Sequence, residues 1–180
     1  VCLQNLPVVF AIDRAGIVGE DGPTHQGVFD ISYLRHIPNL TVMAPKDDLE
    51  LKAMLELALK HNGPSAIRYP RGKVQPSGIS RQTSAFDIGK AEILKEGSDM
   101  ALVAIGNAVH PALGAAERLE KEGIKASVIN ARFIKPLDKE LLLKIASKTK
   151  RIITVEENMI AGGFGSAVLE YLNSMDIPDI

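Results

Sequence analysis

The run Pro7-Val8-Val9-Phe10-Ala11-Ile12 leads directly into Asp13-Arg14-Ala15-Gly16-Ile17-Val18-Gly19-Glu20-Asp21-Gly22-Pro23-Thr24-His25-Gln26-Gly27. The apolar run predicts a buried strand. The segment after it packs Arg, Asp, Thr and His into a polar loop at a strand's carboxyl end. In open α/β sheets that end is where ligands bind. Gly16, Gly19, Gly22 and Gly27 let the backbone take positive φ and approach a ligand closely. The loop has the composition of a site rather than of a connector.

Outward from this loop, strands and helices alternate. Gly27 to Arg35 has helix-like spacing of Phe29, Ile31 and Leu34. Leu40 to Ala44 predicts a short strand closed by Pro45. Asp47 or Asp48 caps a helix running to about His61, with Leu51, Met54, Leu55 and Ala58 as its apolar stripe. Ser65 to Tyr69 is the next strand. Lys73 to Ser84 is polar, with Pro76 and Gly78, and is the linker candidate. Beyond it, strands are expected at Ala91–Lys95, Met100–Ile105, Ala126–Ile129 and Arg151–Val155. Helices are expected at Val109–Glu122, ended by Gly123, from Asp138 to Lys148, and from Gly162-Gly163-Phe164-Gly165 to Asn173. The alternation predicts an α/β protein of two doubly wound units. Their bounds are residues 1–76 and 85–180, with a linker at 77–84.

Composition narrows the function. The chain has 180 residues, 46% of them hydrophobic, with a formal net charge of −1. No basic excess points to nucleic acid. Aromatic residues make up 4% and Trp is absent, which argues against a base-stacking surface. No apolar stretch approaches the roughly 20 residues of a membrane span. The single cysteine, Cys2, fits a reducing compartment and a cytoplasmic location. Val1, Leu3 and Leu6 look like the tail of a helix, and Met175 to Ile180 stops where another strand can begin. A piece of a longer polypeptide is therefore expected.

The candidate site residues lie in the loop and at the next strand end. His25, in a Gly-rich loop, can donate, accept or transfer a proton near neutral pH; it equally reads as an exposed loop histidine. Asp21 can orient an imidazole or a substrate hydroxyl, or serve as a turn residue before Gly22. Arg14 and Arg71 follow two strand ends and can grip a phosphate or carboxylate. For Arg14 the alternative is a salt bridge with Asp13 or Glu20, and Arg68 reads as packing or an ion pair. These residues together suggest a small phosphorylated or carboxylated substrate. The four histidines lack metal-ligand spacing, so no metal ligand is expected. Gly162 to Gly165 reads as close helix–sheet packing in preference to a phosphate cradle. Glu156-Glu157-Asn158 reads as a polar interface or capping network in preference to a catalytic group.

Asp13 to Gly27 closely resembles the pyrimidine-binding domain of the 1-deoxy-D-xylulose-5-phosphate synthases, which are transketolase-like thiamine diphosphate enzymes. The resemblance continues through Phe29 to Arg35, Met43-Ala44-Pro45, Gly63 to Gly72, Arg132 to Asp138 and Val155 to Asn158, so it covers essentially the whole chain. Glu20-Asp21-Gly22-Pro23-Thr24-His25 is shared by transketolases generally. Asp13-Arg14-Ala15-Gly16 and Arg68-Tyr69-Pro70-Arg71-Gly72 point to the synthases. The resemblance implies a partial pyrimidine-binding domain followed by a transketolase C-terminal domain. It also implies thiamine diphosphate and Mg2+ as cofactors, pyruvate and D-glyceraldehyde 3-phosphate as substrates, loss of CO2, and a homodimer. The product feeds isoprenoid, thiamine and pyridoxal precursors. On matching positions, His25 lies beside the cofactor-bound intermediate and Asp21 contacts it or substrate hydroxyls. Arg14 and Arg71 hold the acceptor's phosphate.

The family's Gly-Asp-Gly…Asn motif for diphosphate and magnesium is not in the sequence. The glutamate that activates the aminopyrimidine is expected upstream of Val1. The chain is thus expected to carry the acceptor side of the site and to be inactive alone. The alternatives are a subunit or fragment of another transketolase, and a non-catalytic dimerisation module.

Overall fold

The computed structural model describes residues 1–73 and 86–175. The expected linker at 77–84 and the possible strand start at 176–180 lie outside the described residues. The order of elements is β1 (Val9–Ile12), α1 (Asp30–Leu34), β2 (Thr41–Met43), α2 (Asp48–Lys60), β3 (Ser65–Arg68), β4 (Glu92–Lys95), β5 (Met100–Ala104), α3 (Val109–Lys121), β6 (Ala126–Asn130), β7 (Phe133–Lys135), α4 (Lys139–Thr149), β8 (Ile152–Val155) and α5 (Phe164–Asn173). The strands form two four-stranded sheets, ordered β1-β3-β2-β7 and β4-β6-β5-β8. The α/β class expected from the alternation is the class observed.

Each sheet has a parallel body and one antiparallel edge strand. In the first, β1 and β2 flank β3 in parallel, and β7 runs antiparallel to β2. In the second, β6 and β8 flank β5 in parallel, and β4 runs antiparallel to β6. Each sheet thus departs, at one edge, from the parallel arrangement that strand–helix alternation implies. The central strands β2, β3 and β6 are buried along their whole length, as strands covered on both faces should be. By contrast β1, expected to be buried, is half exposed, with Phe10 at 38%. The cause is its place in the sheet: among the described residues β3 is its one neighbouring strand.

Strand β7 follows β6 in sequence yet joins the sheet of β1–β3. The two sheets are thereby tied by a strand as well as by side chains. One apolar cluster spans both: Ile31, Leu34 and Val42 from the first part pack with Val103, Ile129 and Phe164 from the second. Full burial of such side chains stabilises by about 1.5–3 kcal/mol each.

The caps fall where the sequence puts them. Asp47 accepts the Glu50 amide at 2.8 Å to start α2, and Asp138 accepts the Leu141 amide at 3.1 Å to start α4. Three local expectations change. Residues Cys2–Gln4 form a single 3-10 turn with no buried residue, so Leu3 and Leu6 are not on a packed helix. Helix α1 begins only at Asp30, leaving Phe29 54% exposed. Leu55 of the expected α2 stripe is exposed and Glu50 is buried in its stead.

Candidate active site

The parallel pairing of β1 with β3 aligns Ile12 with Arg68. The chain leaving each strand therefore emerges at the same edge. Arg14 follows Ile12 and Arg71 follows Arg68, and the two guanidiniums meet on one carboxylate, Asp21. Asp21 Oδ2 accepts from Arg14 Nε at 2.6 Å, and Oδ1 accepts from Arg71 Nη1. Arg14 Nη1 also donates to Asp13 at 2.6 Å. The ion pair anticipated for Arg14 thus includes Asp13, with Asp21 in the place of Glu20. Arg14 has φ +58°, an uncommon left-handed backbone for a non-glycine residue, of the kind that collects at functional sites.

The loop is closed by its own backbone. Gly16 and Gly27 exchange two hydrogen bonds, at 2.8 and 2.9 Å. A Cβ on Gly27 would lie 2.0 Å from the Arg14 carbonyl oxygen, so only glycine fits there. Gln26 stitches the interior: its Oε1 accepts the Val18 amide at 2.7 Å, and its Nε2 donates to the carbonyls of Val18 and Gly22 at 2.9 Å each. Nothing local in the sequence marks Gln26 for this role, because its three partners are set by the folded loop. His25 is exposed at the rim, and its Nδ1 shares a 3.1 Å hydrogen bond with the Thr24 hydroxyl. Arg14, Asp21 and Arg71 form one cluster; no hydrogen bond joins His25 to it. Beneath the loop, Arg68 is buried and paired with Asp30, and it donates to the Gly27 carbonyl at 3.1 Å. Arg68 is therefore a structural ion pair.

The carboxyl end of β8 reaches the same place from the second sheet. Glu156 accepts the amides of Phe164 and Gly165 at 2.8 and 2.7 Å. A protein carboxylate thus fills the start of α5, as the packing reading of the glycine cluster requires. Asn158 accepts the Ile31 amide and donates to Ser32 Oγ at 2.9 Å. Between them, the Glu157 carboxyl lies so close to Gly16 that a Cβ there would meet it at 2.7 Å. The expected capping network is present, and it supports the loop from below. Among the described residues no group of three or more His, Cys, Asp or Glu can hold a metal ion.

Two family descriptions match in sequence. "Transketolase, pyrimidine binding domain" matches residues 1–76, and "Transketolase, C-terminal domain" matches residues 89–179. The chain belongs to the transketolase family. Among curated relatives, the 1-deoxy-D-xylulose-5-phosphate synthase of Syntrophus aciditrophicus is 59% identical over 180 residues, all of this chain and 28% of that protein. The 1-deoxy-D-xylulose-5-phosphate synthase 1 of Geobacter sulfurreducens is 60% identical over 172 residues, 96% of this chain and 27% of that protein. A solved structure described as "Split gene transketolase, inactive beta4 tetramer" superposes with a TM-score of 0.90 at 36% identity. It covers 98% of this chain, which spans 57% of that one. The chain thus spans about 28% of the length of the synthases it matches.

Beside Gly16, the Glu157 carboxyl holds its proton more tightly than an ordinary carboxyl does. Burial pushes its carboxyl above the ordinary 4.5, against the attraction of Arg68 and a hydrogen bond with Asn107. A raised folded pKa means that the folded state holds the proton more tightly. The stability from that proton is full below about 4.5 and is lost as pH rises through the folded value. Glu157→Gln is therefore expected to melt no lower than the parent at about pH 7.5 and to flatten this decline. Thermal melts across pH check it; a lower melting temperature at neutral pH would show that the charged carboxylate stabilises the fold.

Among the described residues no helix is long and apolar enough to cross a membrane.

Proposed function

We propose that the chain is the acceptor-side portion of a 1-deoxy-D-xylulose-5-phosphate synthase. The parent enzyme condenses pyruvate with D-glyceraldehyde 3-phosphate with loss of CO2, for isoprenoid, thiamine and pyridoxal precursors. The observation that carries this reading is the convergence of Arg14 and Arg71 on Asp21, in the loop that also holds His25. It occurs in a chain 59% identical to proteins so named. Two guanidiniums at one strand edge suit a phosphate monoester, which forms several charge-assisted hydrogen bonds to them. Asp21 and His25 then face the reacting end of the substrate. Thiamine diphosphate supplies the decarboxylation chemistry, and it and Mg2+ are held mainly by the amino-terminal part of the parent.

In this reading residues 1–76 are a partial pyrimidine-binding domain and 85–180 a C-terminal domain. The parent works as a cytoplasmic homodimer. The isolated chain is inactive because the cofactor-holding residues lie elsewhere. The related structure whose description reads inactive tetramer supports both the inactivity and the self-association. That description, with its words "split gene", also favours a second reading: a subunit of a split transketolase that needs a separate partner.

Release of CO2 from pyruvate separates the readings. The chain is assayed alone and mixed with the amino-terminal part from the same gene, with and without D-glyceraldehyde 3-phosphate. Aldehyde-stimulated release in the mixture and none from the chain alone is the expected result. Release from the chain alone would overturn the inactivity. A mixture that associates and binds cofactor yet uses a ketose phosphate as donor would favour the split transketolase.

A further inference from the structure

Asp21 occupies the position between Arg14 and Arg71 where a ligand's anionic group would bind. Its side chain is 14% exposed, while those of Arg14 and Arg71 are 35% and 52% exposed. The carboxylate is therefore the innermost group, and the guanidiniums reach past it to solvent. The loop fixes it there: Gly22, the next residue, has φ +74°, and its carbonyl is held by Gln26 at 2.9 Å. Two positive charges face one negative charge on Asp21. Asp13 is the other carboxylate on Arg14, and it is 56% exposed on the outside of the pair, where water screens it.

We propose that Asp21 is a built-in competitor for this anion site, admitting a phosphate dianion and turning away carboxylates. The proposal rests on the reading of Arg14 and Arg71 as the phosphate-binding pair. A carboxylate from solution offers these arginines nothing that Asp21 does not already supply. It must also compete with a tethered group whose effective concentration is on the order of millimolar or more. A phosphate monoester brings close to two charges and three acceptor oxygens, enough to satisfy both guanidiniums after Asp21 has swung away. The consequence is specificity by rejection. In the proposed reaction the donor, pyruvate, is itself a carboxylate, and the competitor keeps it out of the acceptor's anchor. Asp21 is then freed for the substrate's hydroxyl groups only when the correct acceptor has bound.

Calorimetric titration of the chain with inorganic phosphate at about pH 8, where the dianion dominates, tests this, with acetate as the monoanion. The variants are Asp21→Asn, the same change combined with Arg14→Gln and Arg71→Gln, and Glu56→Gln. Glu56 is an exposed residue of α2, and its variant controls for net charge. Asp21→Asn is expected to bind phosphate about tenfold more tightly than the parent, one charge-assisted competitor having been removed. It is also expected to gain measurable acetate binding, while Glu56→Gln matches the parent. Phosphate affinity that is unchanged or lower in Asp21→Asn would overturn the proposal, because Asp21 would then merely hold the arginines in place. If phosphate binding is nevertheless lost when the arginine changes are added to Asp21→Asn, the phosphate reading survives and only the competitor role falls. If the gain persists without the arginines, both fall. Asp21→Ser serves as the second variant if circular dichroism shows that Asp21→Asn is not folded.

Discussion

Replacing Glu50 by Ala is expected to destabilise the protein by about 3–5 kcal/mol, the range for removing one partner from a buried charge cluster. Glu50 is 3% exposed. Its Oε1 accepts from Lys46 Nζ at 2.7 Å, Asn130 Nδ2 at 2.7 Å and Arg132 Nε at 3.0 Å, and its Oε2 accepts the Lys46 amide at 2.9 Å. Lys46 and Arg132 are each 4% exposed. Without Glu50 these buried cations keep Glu92, which contacts both, at 3.3 and 2.8 Å, and Lys46 keeps Asp47 at 3.7 Å. Two cations and an amide donor would lose their shared acceptor at one stroke. Denaturant titration measures the effect, and the melting temperature should fall by roughly 10 °C for a chain of this size. Glu50→Gln keeps one acceptor oxygen and should lose less than Glu50→Ala. A loss below about 1 kcal/mol in Glu50→Ala would show that water enters and replaces the carboxylate.

The second large effect concerns the proposed reaction. In the reconstituted enzyme, Arg14→Gln combined with Arg71→Gln should lower kcat/KM for the phosphorylated aldehyde by about 100-fold or more, as loss of two charge-assisted contacts implies. The unphosphorylated aldehyde should change by no more than about threefold, since it lacks the group they bind. Steady-state kinetics with both aldehydes make the comparison. An equal fall for both would mean that the arginines act on the loop's shape and not on the phosphate. Circular dichroism guards against that outcome being simple unfolding. Asp21 would in that variant lose both of its arginine partners.

Much of the architecture was legible because its signals are local. Asp47 and Asp138 announce helix starts, and β2, β3, β5 and β6 are short apolar runs bounded by turns. The neighbouring placement of Arg14 and Arg71 follows from two adjacent parallel strands. What escaped the sequence depends on distant partners. Strand β7 is three residues before Pro136, too short to stand out, and its place is set by β2 some ninety residues earlier. Glu50 reads locally as the acidic partner of the Asp47 cap; its burial comes from Asn130 and Arg132. The exposure of β1 follows from sheet order, to which its apolar composition is blind. For Asp21, pattern suggested a turn or a substrate contact. Its clasp by both arginines depends on the folded loop.

The placement of β7 also bears on how the polypeptide is made. During synthesis β1, β2 and β3 leave the ribosome before β7, and β2 then has an unpaired side that waits for residues 133–135. An open strand edge of this kind invites pairing with other nascent chains. A ribosome stalled between β3 and β7 would release a product with an incomplete first sheet, and such truncated products should be the ones that holding chaperones retain.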